Sequence, residues 1–103
     1  MRPNKLVRDL VPQMIEDNGD EAITKILEQE EYYEALKAKL KEEVEDYLES
    51  DDPEELADII EVIHALSDYH QMTIEDIENM RKTKLEERGG FAERVYLVEV
   101  IEN

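Results

Sequence analysis

The sequence predicts a mainly α fold, a helical bundle with a small two-stranded β element near the termini. Three observations carry it. Residues 30–49 contain no glycine or proline and repeat Tyr33, Leu36, Leu40, Val44 and Tyr47 at helical spacing, which makes an amphipathic helix of about five turns. Ser50-Asp51-Asp52-Pro53 breaks that pattern and opens a second helix, with an aspartate to cap it and a proline suited to its first turn. Thr73, three residues before Asp76, then has the form of a capping box.

In chain order, Pro12 starts a short helix to about Glu16, closed by Asn18-Gly19. Ala22-Ile23-Thr24-Lys25-Ile26-Leu27 is rich in β-branched residues and reads as a brief strand. The long helix over 30–49 follows, then one from Pro53 to Tyr69, then one from Thr73 that ends near Gly89-Gly90. Val95-Tyr96-Leu97-Val98-Glu99-Val100 is the stronger strand, and residues 22–27 are its expected partner. No repeat, low-complexity tract or linker divides the chain, so residues 1–103 are expected to form one domain.

Twelve basic against 29 acidic residues leave a formal charge of −17, which disfavours nucleic-acid polymers and anionic membrane surfaces as partners. The absence of cysteine excludes disulfides and zinc-thiolate sites, and the two histidines are few for a histidine metal site. No apolar run approaches the roughly 18 to 20 residues that span a bilayer. Met1-Arg2-Pro3-Asn4-Lys5 also lacks the apolar segment of a signal peptide, so a cytoplasmic location is expected.

Against this background the acids of Glu42-Glu43-Val44-Glu45-Asp46 and Glu55-Leu56-Ala57-Asp58 call for a reason. On helices, Glu43 and Asp46 lie one turn apart, as do Glu55 and Asp58, and a hairpin brings the two pairs together. Around the 53–69 helix, Glu61, His64 and Asp68 fall on the polar side, whereas Glu55 and Asp58 fall within the arc of Ile59, Val62, Ala65, Leu66 and Tyr69. An acid on an apolar face is rare unless it is paired or ligates a metal. The helix macrodipole offers Glu55 another explanation, but Asp58 lies too far along for it.

On the 30–49 helix, Glu43 borders the Leu36-Leu40-Tyr47 stripe, Asp46 and Lys39 lie further out, and Glu42, Glu45 and Glu49 lie on the outer side. The last helix sets Arg81, Lys84 and Arg88 beside Ile74, Ile77 and Leu85. These cations read either as snorkelling, dipole-complementing side chains or as receivers of phosphates that a hard cation bridges. Glu61-Val62-Ile63-His64 matches one copy of the Glu-x-x-His pattern of di-iron bundles, but its polar-side placement favours an exposed pair. Tyr32 and Tyr33 read as packing residues that also offer a face for a base, and His70 as a residue of the helix end.

Glu42-Glu43-x-x-Asp46 followed by Glu55-x-x-Asp58 resembles the E-E-x-x-E and E-x-x-D signature of the all-α nucleotide pyrophosphohydrolases, the superfamily of MazG, dimeric dUTPases and phosphoribosyl-ATP pyrophosphohydrolase. Asn4-Lys5-Leu6-Val7-Arg8-Asp9, Glu55-Leu56-Ala57-Asp58-Ile59-Ile60-Glu61-Val62 and Glu86-Glu87-Arg88-Gly89-Gly90-Phe91 extend the likeness to a small MazG-like, phosphoribosyl-ATP pyrophosphohydrolase-like branch over nearly the whole chain. The resemblance implies an all-α NTP pyrophosphatase-like bundle, with Mg²⁺, or Mn²⁺, on Glu43, Asp46, Glu55 and Asp58. It makes Glu42 a further ligand or water-orienting base, with Glu42 and Glu43 the candidate catalytic residues. Lys84 and Arg88 match the family's Lys-x-x-x-Arg element and are substrate-binding candidates, and Lys5 and Arg8 are candidates for phosphate or inter-subunit contacts. Asp46 departs from the pattern, since the family has glutamate there, and its reach is one methylene shorter.

The implied reaction is hydrolysis of a nucleoside triphosphate between the α and β phosphates, to a monophosphate and pyrophosphate, with removal of non-standard nucleotides as its purpose. The alternatives are phosphoribosyl-ATP as a biosynthetic substrate, a di-iron protein using Glu61 and His64, and a non-catalytic helical interaction module. A homodimer or higher homo-oligomer is expected because the 53–69 helix is apolar over most of its circumference.

Overall fold

The computed structural model describes residues 3–102. It contains four helices, α1 (Val11–Asp17), α2 (Gln29–Ser50), α3 (Pro53–Tyr69) and α4 (Ile74–Arg88), so the fold is mainly α. Each boundary has a local cause. Glu28 caps α2 through a capping box with Glu31, so the helix begins one residue before the expected residue 30. Asp51 ends α2 in the left-handed region (φ 55°, ψ 20°), where its amide donates to the Tyr47 carbonyl. Asp52 accepts from the Glu54 amide at 2.9 Å and Pro53 fills the first turn of α3. The Thr73 and Asp76 box opens α4, and Gly89, at φ 81°, follows its end.

The connection Asp51-Asp52 is too short for anything but an antiparallel hairpin of α2 and α3, and that hairpin holds the main packing of the chain. Leu36 and Val62 are its buried apolar side chains. Tyr33, near the start of α2, stacks on Tyr69, at the end of α3, with ring centroids 4.4 Å apart and planes within 4°. At the α3–α4 corner the buried Ser67 hydroxyl donates to the Met72 carbonyl at 2.8 Å, which ties the turn back to the hairpin. α4 then packs on α3 alone and does not meet α2. α1 buries nothing.

The expected two-stranded β element is absent among the described residues: neither 22–27 nor 95–100 is a strand. A strand needs a neighbouring edge, since an isolated one leaves its backbone groups in water and its apolar side chains bare. Within this chain neither segment finds one. The radius of gyration is 18.4 Å, against about 13 Å for a compact chain of 100 residues. The accessible surface is 9674 Å², about 3,600 Å² more than the scaling with mass gives for a folded 12.1 kDa monomer. Val44, Leu48, Leu56 and Ile60 contribute to that excess from the hairpin itself. No described helix is long and apolar enough to cross a membrane.

Candidate metal centre

The hairpin brings the five motif acids into two overlapping groups. Glu42, Glu43 and Asp46 each offer a carboxylate oxygen, all within 4.8 Å of one another, and so do Glu43, Glu55 and Asp58. Glu43 belongs to both. Helical periodicity explains the first group, because Glu42, Glu43 and Asp46 sit within one turn of α2. The antiparallel register explains the second, because the last turns of α2 face the first turns of α3. These groups can hold a metal ion.

Glu43 is the deepest member, at 7 % exposure, although it bordered the apolar stripe in the sequence. It points into the α2–α3 seam in register with Leu36 and Leu40. Glu42, Asp46, Glu55 and Asp58 are half-buried around it. Lys39 spans the outer edge, donating to Glu42 Oε2 at 3.1 Å and lying 3.2 Å from Glu43 Oε1. Burial pulls the Lys39 ammonium down, but hydrogen bonds to Glu42 and Glu43 outweigh it and hold its pKa above the ordinary lysine value.

The N-terminal arm supplies two more cations. Lys5 Nζ donates to Glu42 Oε1 at 2.9 Å, and Arg8 Nη2 to Asp58 Oδ1 at 2.8 Å. The Lys5 hydrogen bond, helped by Lys39 and opposed by burial, holds the Glu42 carboxyl below the ordinary range. Glu55 moves the other way: desolvation, a hydrogen bond with Asp58 and the nearby charges of Asp46, Asp58 and Glu43 raise its pKa. Five carboxylates therefore meet three cations, an excess of two negative charges, which is the charge of one divalent ion. The all-oxygen donor set suits a hard cation.

Not every expected residue joins this centre. Lys84 and Arg88 line an open groove along α4 with Met72, Asp76, Met80 and Thr83, and none of the five acids borders it. Neither forms an ion pair with those acids among the described residues. Arg81 is held on its own helix by Glu78, with Nε donating to Oε2 at 2.9 Å. Glu61 and His64 are exposed and belong to neither carboxylate group. Tyr33 gives one ring face to Tyr69, while Lys37 Nζ lies 4.4 Å from its centroid. Tyr33 thus packs within the hairpin, ten residues and about 15 Å along α2 from Glu43.

Lys39 is the member of the cluster whose part the sequence reading missed. The signal was present in its spacing, because it precedes Glu42 and Glu43 by three and four residues and so shares their helix face. The chain matches no protein-family model, no curated protein and no solved structure.

Proposed function

We propose that this protein is a Mg²⁺-dependent nucleoside triphosphate pyrophosphohydrolase that cleaves between the α and β phosphates and releases a monophosphate and pyrophosphate. The observation that carries this reading is the pair of carboxylate groups sharing the buried Glu43 across the α2–α3 hairpin. The motif likeness to MazG-type enzymes points the same way. Magnesium, or manganese, held by Glu43, Asp46, Glu55 and Asp58 supplies Lewis acidity toward the phosphates and toward water.

The chain's own residues have distinct parts in this scheme. Glu43 anchors both carboxylate groups and keeps α2 and α3 in register at the site. Glu42, held below the ordinary carboxylate range by Lys5 and Lys39, stays ionised and orients water. Glu55, whose pKa is raised by desolvation, a hydrogen bond with Asp58 and the surrounding carboxylates, would have that crowding of negative charge relieved by a bound cation. For phosphate binding, the support is stronger for Lys5 and Arg8, whose side chains touch Glu42 and Asp58, than for Lys84 and Arg88 on α4. A chain of formal charge −17 repels a triphosphate, so turnover requires the metal.

The test is pyrophosphate release from a panel of nucleotides, phosphoribosyl-ATP included, with and without Mg²⁺. Glu55→Gln and Asp58→Asn are compared with wild type, and both are expected to lose most activity. Equal rates in all three proteins would overturn the proposal. Preferential cleavage of phosphoribosyl-ATP would move the reading to that biosynthetic reaction. A homodimer belongs to the same proposal, supported by the surface each chain leaves uncovered.

A further inference from the structure

The two extended segments carry several of the most exposed apolar side chains among the described residues. Ile23 and Ile26 are 91 % and 96 % accessible, and Tyr96 and Val98 are 88 % and 86 %. Both segments have strand composition, and both run without a backbone partner among the described residues. An exposed run of this kind is a template for pairing with another chain.

We infer that residues 22–27 of one copy pair with residues 95–101 of a second copy, reciprocally about a two-fold axis. This sharpens the homodimer part of the reading above and is independent of the catalytic part. Four observations support it. First, α4 begins at the corner beside Tyr69 and His70, next to the start of α2, and its 15 residues carry the chain about 22 Å onward before 95–101 begins. Residues 22–27 therefore precede the helix end beside which α4 begins, whereas residues 95–101 follow the far end of α4. Second, pairing one segment with the other covers both at once, whereas pairing 95–101 with its own copy would leave 22–27 bare.

Third, the charges match. Antiparallel alignment, the commoner arrangement, with Lys25 opposite Glu99 sets Ile26 against Val98, Leu27 against Leu97 and Ile23 against Ile101. Fourth, the excess surface of about 3,600 Å² per chain exceeds the roughly 1,000 to 2,500 Å² that each partner contributes to an obligate dimer, so a second copy can be accommodated with area to spare.

The chain has no cysteine, which makes a cross-linking test clean. A chain carrying Val98→Cys is co-expressed in turn with chains carrying a cysteine at each position from 22 to 27, and the purified mixtures are oxidised. A disulfide between the two different chains forms only in trans. The expected yield peaks at Ile26→Cys and clearly exceeds that of a control pair, Ile26→Cys with Glu86→Cys. A peak at Thr24→Cys would overturn the antiparallel register, and yields no higher than the control would overturn the pairing. An intramolecular disulfide alone in the Ile26→Cys/Val98→Cys double variant would overturn exchange between copies.

A second measurement does not depend on sulfur geometry. The double variant Leu97→Pro/Val98→Pro removes a ladder donor whichever of the two adjacent N–H groups faces the partner strand, in a segment outside every helix. It is expected to weaken dimerisation at least tenfold in sedimentation equilibrium while helical circular dichroism is unchanged. An unchanged dimer would overturn the proposal. Pyrophosphate release by the Cys variants in the reduced state reports separately on the catalytic reading.

Discussion

Replacing Lys39 with methionine keeps most of its length and removes its charge, which isolates what that charge does for the acidic seam. In the metal-free protein Lys39 neutralises Glu42 and Glu43 at 3.1 and 3.2 Å, and its side chain and that of Glu43 are only 17 % and 10 % exposed. Each contact has a gross Coulomb attraction of about 5 kcal/mol at an effective dielectric of 20, most of which desolvation offsets. Removing one partner of a fully buried pair costs about 3 to 5 kcal/mol. The half-exposed surroundings of Glu42 reduce that here to about 2 kcal/mol. Lys39→Met should therefore unfold in urea, in chelator, with a stability about 2 kcal/mol below wild type at the same protein concentration. Magnesium replaces the missing charge, so saturating Mg²⁺ should stabilise the variant more than it stabilises wild type and narrow the gap. A variant as stable as wild type in chelator would refute the electrostatic account. Equal Mg²⁺ stabilisation of both proteins would refute the exchange of Lys39 for a cation.

Other parts of the centre respond in their own ways. Arg8→Ala removes a partly exposed competitor for Asp58, and since such pairs are worth about 0.2 to 1 kcal/mol, Mg²⁺ affinity should rise by about 1.4- to fivefold in isothermal titration calorimetry; weaker binding would count against the competition. Glu55 has a folded pKa above its ordinary 4.5, so its contribution to stability is fully present below that value and is lost as pH rises through the raised one. In metal-free urea titrations across that window, wild type should lose stability relative to Glu55→Gln as pH increases, and parallel curves would contradict the assignment. Thr73→Ala deletes the acceptor for the Asp76 amide at the start of α4 and should cost about 1 kcal/mol, read by thermal unfolding.

Much of the helical architecture is legible without coordinates because its causes are local. Asp52 with Pro53, Thr73 with Asp76, and Gly89 mark ends that neighbouring residues enforce through caps and backbone geometry. The α2 start was legible to within one residue, and its cap was missed because glutamate is uncommon there. Four of the acids were visible as a pattern: Glu43 and Asp46 on one helix, Glu55 and Asp58 on the apolar arc of the next. Lys84 and Arg88 show the limit of that method. They share a helix face with apolar residues, but helix periodicity says nothing about which other helix that face meets, and α4 packs on α3 alone.

The sequence by itself determined the helices, their ends and which acids share a face, since each depends on residues within one or two turns. Only the tertiary structure decided that Glu43 is the buried hinge of two carboxylate groups, that Lys5 and Arg8 reach them from the N-terminal arm, and that 22–27 and 95–100 stand apart in one chain. The contacts among these join residues on different elements, up to 50 positions apart for Arg8 and Asp58. Their formation depends on the register of α2 against α3 and the path of α4, and no local spacing encodes either.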